Sequence, residues 1–499
     1  MCRSRLSALR PARSSSRPPA LTCLLAAVTF VSGCATQPPP TSPDIRRQAL
    51  PGVTVGGPWH AVTTSTSNER QALQDDWLST FRDATLDALV REAMTNNPDL
   101  RAASAKVEQA SQYFAVSESA LRPSAGLFGT GGSKTGGGGD ATSALQAVVL
   151  SASWELDVWG RLRYARNAAR ESYLSAQADY EFARQSLAAT VAKAWFTASQ
   201  LSITARAAAD TLEATRQLQS FAEARQRIGP GTEAEIVLAR ARVYEAESAL
   251  RKIEFSRGQA LRALELLVGR YPATELAARE QLPALPDAVP LGVPLQMLER
   301  RPDIIAAERR VAAAFNRVGE AKAARLPQLT LTLSIGAYAS EILELREDFE
   351  NPVGGLGGRL LAPIYQGGAL EAKVRIRTAE QKEAVADYAR VALRALNDVE
   401  DALAASESLG ARVTLLSRAL DEQTRALELT STQLRIGRAD RRALEQQRLN
   451  VNAARVALVG VQAEQLAARV NLHLALGGSF DAVERSAATH TGVTHPLER

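Results

Sequence analysis

Two stretches of the chain alternate strictly between apolar and polar residues. From Gln328 to Tyr338 the apolar residues occupy the odd positions, and from Val148 to Val158 they occupy the even positions. Alternation of this kind over about ten residues is typical of a transmembrane β-strand, with one face toward lipid and the other toward a lumen. Both segments are therefore predicted strands. The polar residues predicted to face the lumen are Ser151, Ser153, Glu155, Asp157, Thr330, Thr332 and Ser334.

Each predicted strand has a weaker neighbour across a loop. Leu121 to Thr130 and Leu356 to Tyr365 alternate poorly, but both are predicted as partner strands. A soluble β-sandwich also has alternating strands, although these are usually nearer five or six residues long. The glycine-rich run 131–139 is predicted to be an external loop. It lacks the glycine-to-lysine spacing of a phosphate-binding loop and does not open a helix.

Long helices are predicted after the strands. The chain has neither proline nor glycine from Arg161 to Arg227, and again none from Ala369 to Leu409. Apolar residues there recur three and four apart, as expected of coiled-coil packing. A helix of about 65 residues is ~98 Å long, and a bilayer with its headgroups is only ~45 Å thick. These charged helices are therefore expected to project into water.

The chain contains an internal duplication. Asn97-Pro98-Asp99 recurs as Arg301-Pro302-Asp303, and Arg227-Ile228-Gly229 recurs as Arg435-Ile436-Gly437. Each repeat is expected to hold helices, two strands and a long helical hairpin. The predicted organisation is a signal peptide at 1–33, a lipidated extended segment at 34–75, a first repeat at 76–269, a proline-rich connector at 270–294, a second repeat at 295–478 and a disordered tail at 479–499.

The first residues predict secretion and a lipid anchor. Residues 1–19 hold five arginines and no acid, and a short apolar run follows, which is the pattern of a secretory signal. The run ends in Val31-Ser32-Gly33-Cys34, which resembles the lipobox of bacterial lipoproteins. That resemblance implies that Cys34 receives a diacylglycerol. The following Ala35, in place of aspartate, implies sorting to the outer membrane.

Composition argues against several other classes of protein. The chain has 59 basic and 54 acidic residues, and removal of the five signal arginines leaves 54 of each. A mature chain with no net charge is not expected to bind nucleic acid. Processing leaves Cys34 as the only cysteine, and the four histidines are scattered, so neither thiol catalysis nor a metal or cofactor site is expected.

Four strands predict an oligomer, because the smallest membrane barrels have eight strands. An open sheet edge in lipid would leave backbone groups unpaired, at a cost of several kcal/mol each. Several chains are therefore expected to complete one barrel, which the long helices continue as a tube. A tube with a polar interior would be a duct.

Four motifs of the chain are specific enough to indicate a family. They are Ser153-Trp154-Glu155-Leu156-Asp157-Val158-Trp159-Gly160-Arg161, Leu298-Glu299-Arg300-Arg301-Pro302-Asp303-Ile304, Pro363-Ile364-Tyr365-Gln366-Gly367-Gly368 and Asp398-Val399-Glu400-Asp401-Ala402-Leu403. Through them the chain resembles the TolC-like outer membrane factors, in their NodT-type lipoprotein branch, over nearly the whole mature chain. This resemblance implies a mostly α-helical homotrimer with a twelve-stranded shared β-barrel and a trimeric α-barrel. It also implies a periplasmic adaptor and an inner-membrane pump, often of the resistance-nodulation-division (RND) class.

The predicted function is passive export of drugs or small solutes through the outer membrane, without catalysis. A duct for type I protein secretion is one alternative, and a coiled-coil structural lipoprotein without a channel is another. A hydrolase is a third interpretation, since Glu155 and Asp157 lie two apart and resemble a carboxylate pair. Their place in an alternating strand favours lumen lining.

The resemblance places a gate where the two helical hairpins turn, at Gly229 and Gly437. Related proteins carry an acid six residues beyond the first glycine, which here is Glu235. Near the second glycine this chain departs from the family pattern. Ala439 replaces a basic residue, Gln446 replaces an aspartate, and the neighbours are Arg438, Arg441 and Arg442. The hypothesis is that Glu235 pairs with Arg438 or Arg441 to favour the closed state, and that the arginines weaken any cation preference. The alternative is a solvated charged turn.

Overall fold

The computed structural model describes residues 36–53, 59–61, 75–131, 145–289, 294–340 and 353–480. Its helices are α1 (Ser42–Ala49), α2 (Ala84–Asn96), α3 (Pro98–Ser119), α4 (Arg161–Arg227), α5 (Glu233–Leu267), α6 (Pro294–Arg300), α7 (Pro302–Ala323), α8 (Ala369–Arg435) and α9 (Arg441–Ala475). Its strands are β1 (Ser124–Thr130), β2 (Leu145–Leu156), β3 (Gln328–Ser340) and β4 (Val353–Leu361). A short 3₁₀ turn covers Ser79–Phe81.

The described chain divides into two compact units. The strand unit contains 36–39 and the described parts of 114–169 and 314–380, with all four strands. The helix unit contains the remaining described residues, including both hairpin turns. Each unit takes segments from both copies of the repeat, so compactness and duplication divide the chain differently.

The two copies of the repeat have matching helices. The helices α3 and α7 have 22 residues each, α4 and α8 have 67 each, and α5 and α9 have 35 each. Both 22-residue helices begin at a proline, Pro98 or Pro302, which suits the first helical position because its missing N–H has no partner there anyway. The repeated Pro-Asp pairs thus start equivalent helices in the two copies.

The strands form one antiparallel sheet in the order β1-β2-β3-β4. All four predicted strands are present, with shifted ends. The first begins at Ser124 rather than Leu121, because Arg122 and Pro123 belong to the turn that precedes it. The fourth runs from Val353 to Leu361 rather than from 356 to 365, because its alternation is hidden by four glycines. The second ends at Leu156, and the predicted end at Val158 was wrong.

The long helices are arranged as hairpins within the helix unit. The predicted stretch 161–227 is helix α4, and α8 continues beyond the prediction, through Gly410, to Arg435. Arg216 pairs with Glu247 at 2.7 Å between α4 and α5, and Arg412 pairs with Glu464 at 3.2 Å between α8 and α9. These ion pairs link the two antiparallel helices of each hairpin.

Both hairpin turns use a glycine followed by a helix cap. Gly229 has φ 105° and Gly437 has φ 73°, a region that disfavours other residues. The Thr232 hydroxyl accepts a hydrogen bond from the Glu235 N–H, and the Asp440 carboxylate accepts one from the Ala443 N–H. Such caps satisfy N–H groups that have no partner inside the helix. Both hairpins therefore turn at the glycines where the sequence predicts the turns.

The structure differs from the predicted organisation near both ends of the chain. The segment predicted as extended at 34–75 contains the helix α1, which starts at a capping box between Thr41 and Asp44. This helix buries Ile45 in the core. At the other end, Ser479 and Phe480 are buried, and the Ser479 N–H donates to Asp75 at 3.0 Å. Residues 481–499 lie outside the described residues.

The helix unit has two apolar cores. One joins residues of α1, α6, α7, α8 and the end of α9, with Ile304, Val311 and Tyr388 among its members. The other surrounds Trp195 and Phe196 in the middle of α4. The Trp195 indole N–H donates to Asp83 at 2.9 Å, so the buried indole has a hydrogen-bond partner. These cores hold the short helices around the middle of the long ones.

Candidate functional site

One face of the sheet carries only apolar residues and glycine. It is formed by every second residue of β2 from Val148 to Leu156 and by the residues of the other strands that are paired with them. In the register, Leu150 lies opposite Ile335, and Leu333 lies opposite both Ala152 and Leu356. Leu333 is 56 % exposed and Leu356 is 80 % exposed. A contiguous exposed apolar face of this size is unfavourable in water and suits contact with lipid. The face consists of Ala125, Leu127, Gly129, Val148, Leu150, Ala152, Trp154, Leu156, Leu329, Leu331, Leu333, Ile335, Ala337, Gly354, Leu356, Gly358 and Leu360.

The opposite face of the sheet is polar over most of its length. Ser151 lies opposite Ser334, and Ser153 lies opposite Thr332. On β4, Ser334 and Thr332 lie opposite Gly355 and Gly357, and Thr330 lies opposite Arg359, so this face combines small, hydroxyl and charged side chains. Near the loop end of the strands, Val149 belongs to this face as well. The register thus brings together six residues that were predicted to face the lumen: Ser151, Ser153, Glu155, Thr330, Thr332 and Ser334.

Two acids lie near the junction between β2 and α4: Glu155 is on the polar face opposite Thr330, and Asp157 follows the strand. Both carboxylate oxygens of Glu155 accept hydrogen bonds from the Arg161 guanidinium, at 2.7 and 3.1 Å. Asp157 lies beyond the end of β2, and its carboxylate accepts the N–H groups of Leu162 and Arg163, both at 3.0 Å. Asp157 therefore caps the start of α4. The side chains of both acids are held in structural contacts, which gives no support to the hydrolase interpretation.

Aromatic residues lie at the end of the sheet where the helices join it. The Trp154 indole N–H donates to the Leu121 carbonyl at 3.0 Å, and the Trp159 indole N–H donates to the Pro327 carbonyl at 2.7 Å. Tyr365, after β4, is 87 % exposed. Tyrosine and tryptophan are enriched at the lipid–water boundary of membrane barrels. This end of the sheet therefore has the composition of such a boundary.

The chain segment that follows Cys34 is fixed at the same end of the sheet. The Gln37 N–H donates to the Tyr164 hydroxyl at 2.8 Å. Thr36 lies so close to Gly160 that a Cβ atom at Gly160 would stand 2.8 Å from its methyl carbon. Cys34 itself lies outside the described residues, two positions before Thr36. Its lipidation stays a prediction.

At the first hairpin tip, the predicted gate residue Glu235 lies in the first turn of α5. Its carboxylate forms an ion pair with Arg225 of the same hairpin, at 3.8 Å, and both side chains are more than 40 % exposed. Exposed pairs of this kind contribute about 0–1 kcal/mol. The hypothesis that Glu235 pairs with Arg438 or Arg441 stays a prediction, to which the contact with Arg225 adds a competing partner.

At the second hairpin tip, Arg438, Arg441, Arg442 and Gln446 are all exposed around Gly437. Within the described part of the chain, none of these three arginines forms an ion pair. The two acids near them are engaged elsewhere. Asp440 caps α9, and Glu445 is buried against Arg448 at 3.1 Å. The tip is therefore strongly basic.

The hairpin helices α5 and α9 differ in exposure at matching positions. The residues Val237, Tyr244, Phe255 and Leu266 recur every seven or eleven positions on α5 and so lie on one side of the helix. Each is between 57 % and 63 % exposed. The matching positions on α9 are buried or half-buried, and Asn452 there donates to Thr211 of α4 at 3.4 Å. The apolar stripe on α5 thus lacks the neighbour that α9 has, and its exposure could not be predicted from the sequence.

Another matched pair of positions holds buried ionisable groups. Burial, together with the charge of Arg469, lowers the pKa of His473 to about 4. Burial raises the pKa of Glu265, but hydrogen bonds from three backbone N–H groups and the charge of Arg270 outweigh it, so the pKa of Glu265 is lowered. His473 stacks on Trp77 with ring centroids 5.8 Å apart. Both groups are buried, and the sequence alone gives no sign of it.

Two further features bear on the class of protein. Within the described ranges, no helix is both long enough and apolar enough to cross a membrane. In the same part of the chain, no group of three or more histidine, cysteine or acidic side chains is placed to hold a metal ion.

Comparison with known proteins gives the family. The sequence matches the outer membrane efflux protein family over residues 89–270 and again over 293–478. The chain belongs to the outer membrane efflux protein family. The two matched segments contain the two hairpins and all four strands. The predicted family, outer-membrane location and efflux function are confirmed. Efflux is a transport role, as predicted.

Individual members of this family are similar over nearly their whole length. The pyoverdine export outer membrane protein OpmQ of Pseudomonas putida is 31 % identical over 477 residues, which cover 92 % of this chain and 97 % of OpmQ. The cation efflux system protein CusC of Escherichia coli is 27 % identical, with 91 % of this chain and 98 % of CusC covered.

Solved structures confirm the predicted fold class. The outer membrane protein VceC of Vibrio cholerae is 25 % identical, with a TM-score of 0.71, and covers 82 % of this chain and 100 % of its own. A membrane protein from Pseudomonas aeruginosa is 26 % identical with the same TM-score, covering 84 % of this chain and 100 % of its own. The fold is that of the TolC-like outer-membrane channels, mostly helical with a few long strands.

Proposed function

We propose that three copies of this chain form a passive export duct for drugs or other small solutes, as the outer-membrane part of a tripartite efflux system. The observation that carries the proposal is the two-faced sheet, which is apolar on one side and lined mainly by polar residues and glycine on the other. Lipid requires the first face and a water-filled channel requires the second. A structural lipoprotein without a channel would need neither.

Closure of the sheet supports an oligomer. The outer strands β1 and β4 are the two edges of the four-stranded sheet. In lipid their unpaired N–H and C=O groups would each cost several kcal/mol. Pairing of β4 with β1 of the next copy removes both edges. Three copies supply twelve strands, the number expected from the family resemblance.

The exposed stripe of α5 supports the same assembly. The matching stripe of α9 packs on α4 of its own chain, where Lys193 donates to Asn471 at 3.0 Å. Because α8 is the repeat partner of α4, the stripe of α5 is expected to pack on α8 of another copy. Two leucines of α8, Leu393 and Leu415, are exposed, and their matches on α4 are buried. Both sides of this interface are therefore left uncovered in one chain.

The partners follow from the proposed duct. A periplasmic adaptor and an inner-membrane pump, of the RND class in the simplest case, would deliver the solute and supply the energy. The chain itself would do no chemistry. Relatives are named for export of different cargo, such as pyoverdine for OpmQ and cations for CusC. This variety supports a duct that accepts what its pump delivers.

The two faces of the sheet provide the test. Leu333→Arg places a charge on the apolar face near the middle of β3, where arginine costs about 2–4 kcal/mol. Thr332→Arg is the matched control on the polar face. We expect Leu333→Arg to lower the amount of assembled protein in the outer membrane, and Thr332→Arg to assemble normally with a lower conductance. Equal assembly of both variants would contradict the proposed membrane face.

The lipid anchor is part of the proposal. The contacts of Thr36 and Gln37 at the start of α4 support an acyl chain on Cys34 at the lipid boundary. Cys34→Ser is expected to abolish labelling of the protein by radiolabelled palmitate, with the unchanged protein as the control. Labelling that persists in the variant would show that Cys34 is not the acylated residue.

A further inference from the structure

The two hairpin tips differ in charge although their backbones match. In the first tip, Arg225 and Arg227 are balanced by Glu233 and Glu235. In the second tip, the position that matches Glu233 is Arg441. Four arginines lie within eight residues there, at Arg435, Arg438, Arg441 and Arg442.

The acids near the second tip are too few to neutralise these arginines. Asp440, whose carboxylate accepts the Ala443 N–H at 2.8 Å, can offset one of the four positive charges, and Glu445 is buried with Arg448. Arg435 donates to the Thr432 hydroxyl at 3.1 Å, which leaves its charge uncompensated. Guanidinium groups keep their charge at any physiological pH. The second tip therefore presents a permanent positive field to the solvent.

The position of the arginines is unfavourable for the helix itself. Arg441 and Arg442 are the first two residues of α9, and its first turn has no acid. A helix N-terminus carries a partial positive charge, so cations there are destabilising. By contrast, the first turn of α5 has Glu233 and Glu235, which stabilise it. Because these arginines do not stabilise the helix, we expect their role to lie in interactions with charged groups outside the hairpin.

We propose that the guanidinium groups of the second tip make the periplasmic entrance of the duct selective for anions, so that solutes carrying carboxylate or phosphate groups enter more readily than cations. This inference rests on the proposed function, since it places the tips around the mouth of a channel. In a trimer, three basic tips alternate with three balanced ones. Fixed charge around a narrow mouth concentrates the opposite ion and repels the like ion.

The reversal potential of single channels in a KCl gradient tests this selectivity. The unmodified protein is expected to pass chloride in preference to potassium. The triple variant Arg438→Ala, Arg441→Ala and Arg442→Ala should lower the ratio of chloride to potassium permeability severalfold, and the reversal potential should move toward that of potassium. Glu233→Arg, which copies the second tip into the first, should shift it further toward chloride. Both shifts should shrink in 1 M salt, where screening acts over about 3 Å.

The outcomes separate this inference from the proposed duct. Trimers that conduct but prefer potassium, or keep their reversal potential in both variants, would overturn the anion selectivity and leave the duct intact. Trimers in which the triple variant alters only the binding of the adaptor would assign the arginines to an acidic protein partner and overturn the inference. A folded protein that never conducts would contradict the duct, and the selectivity with it.

Discussion

The two copies of the repeat have helices of the same length, but they meet different surroundings. The helix α9 packs against α4 of its own chain, and the matching side of α5 is exposed. The second tip is basic, and the first is balanced. Residue 473 is a histidine, and the equivalent residue in the first copy, at position 265, is a glutamate. Duplication thus preserved the backbone, and the side chains diverged wherever the two copies have different neighbours.

In the proposed trimer, this difference lets one copy of the repeat pack within its own chain and the other copy pack against the next chain. A face that is covered within the chain carries polar or small residues, such as Asn452 and Ala463. The matching exposed face carries Tyr244 and Phe255, which bury more apolar area. Larger apolar side chains at the uncovered copy are expected if that copy binds a second chain.

The largest expected effect is on this uncovered face. Phe255→Asp puts a carboxylate into the proposed interface between α5 and α8, where an unpaired buried charge is strongly unfavourable. We expect loss of the trimer in native mass spectrometry. Tyr271→Asp is the control, because Tyr271 is 85 % exposed and lies outside α5. A trimer of normal stability in the Phe255 variant would place the interface elsewhere.

The next effect concerns the paired positions 473 and 265. The unfolded chain protonates His473 near pH 6.5, whereas the folded chain resists until about pH 4. Stability is therefore lost as the pH falls from 6.5 to 4, by at most about 3 kcal/mol. We expect His473→Gln to reduce the fall in melting temperature between pH 6.5 and pH 4.

Glu265 provides the contrast in the same experiment. Its pKa is lowered from 4.5, so it stabilises the folded state above pH 4.5 and loses that effect only at lower pH. Glu265→Gln should leave the fall between pH 6.5 and 5 unchanged. An unchanged fall in the His473 variant as well would show that other groups cause it.

The smallest expected effect is at the first tip. If Glu235 pairs with Arg438 or Arg441 across the hairpins, Glu235→Ala should raise conductance or sensitise cells to large antibiotics such as vancomycin. Each exposed pair contributes only about 0–1 kcal/mol, but three pairs act on one equilibrium. Arg225→Ala is the control, since it removes only the contact within the hairpin. Conductance and antibiotic entry that stay unchanged in an intact Glu235→Ala trimer would refute the gate.

Much of the fold could be predicted because its signals are local. Alternation identified β2 and β3, and the absence of proline and glycine identified α4. The errors also have local causes. Four glycines concealed the alternation of β4, and the acid Asp157 continued the pattern of β2 although it caps a helix. Gly410 lies inside α8, where neighbouring turns carry the helix through it.

The candidate site was only partly predictable. Sequence spacing indicated which strand residues share a face, but the register was needed to bring Ser153 and Thr332 together. The ion pair of Glu235 with Arg225 depends on the geometry of the hairpin, which spacing does not give. The stripe on α5 was missed because, in sequence, an apolar side of a helix that packs on another chain looks like one that packs within its own.

The most direct test of the account is the conductance of the purified, folded protein in planar lipid bilayers. We expect discrete single-channel steps from a particle whose native mass is that of three chains, because four strands cannot close a barrel alone. Native mass spectrometry of the same preparation gives the number of chains. A monodisperse folded monomer, or a folded trimer that inserts and stays silent, would contradict the duct.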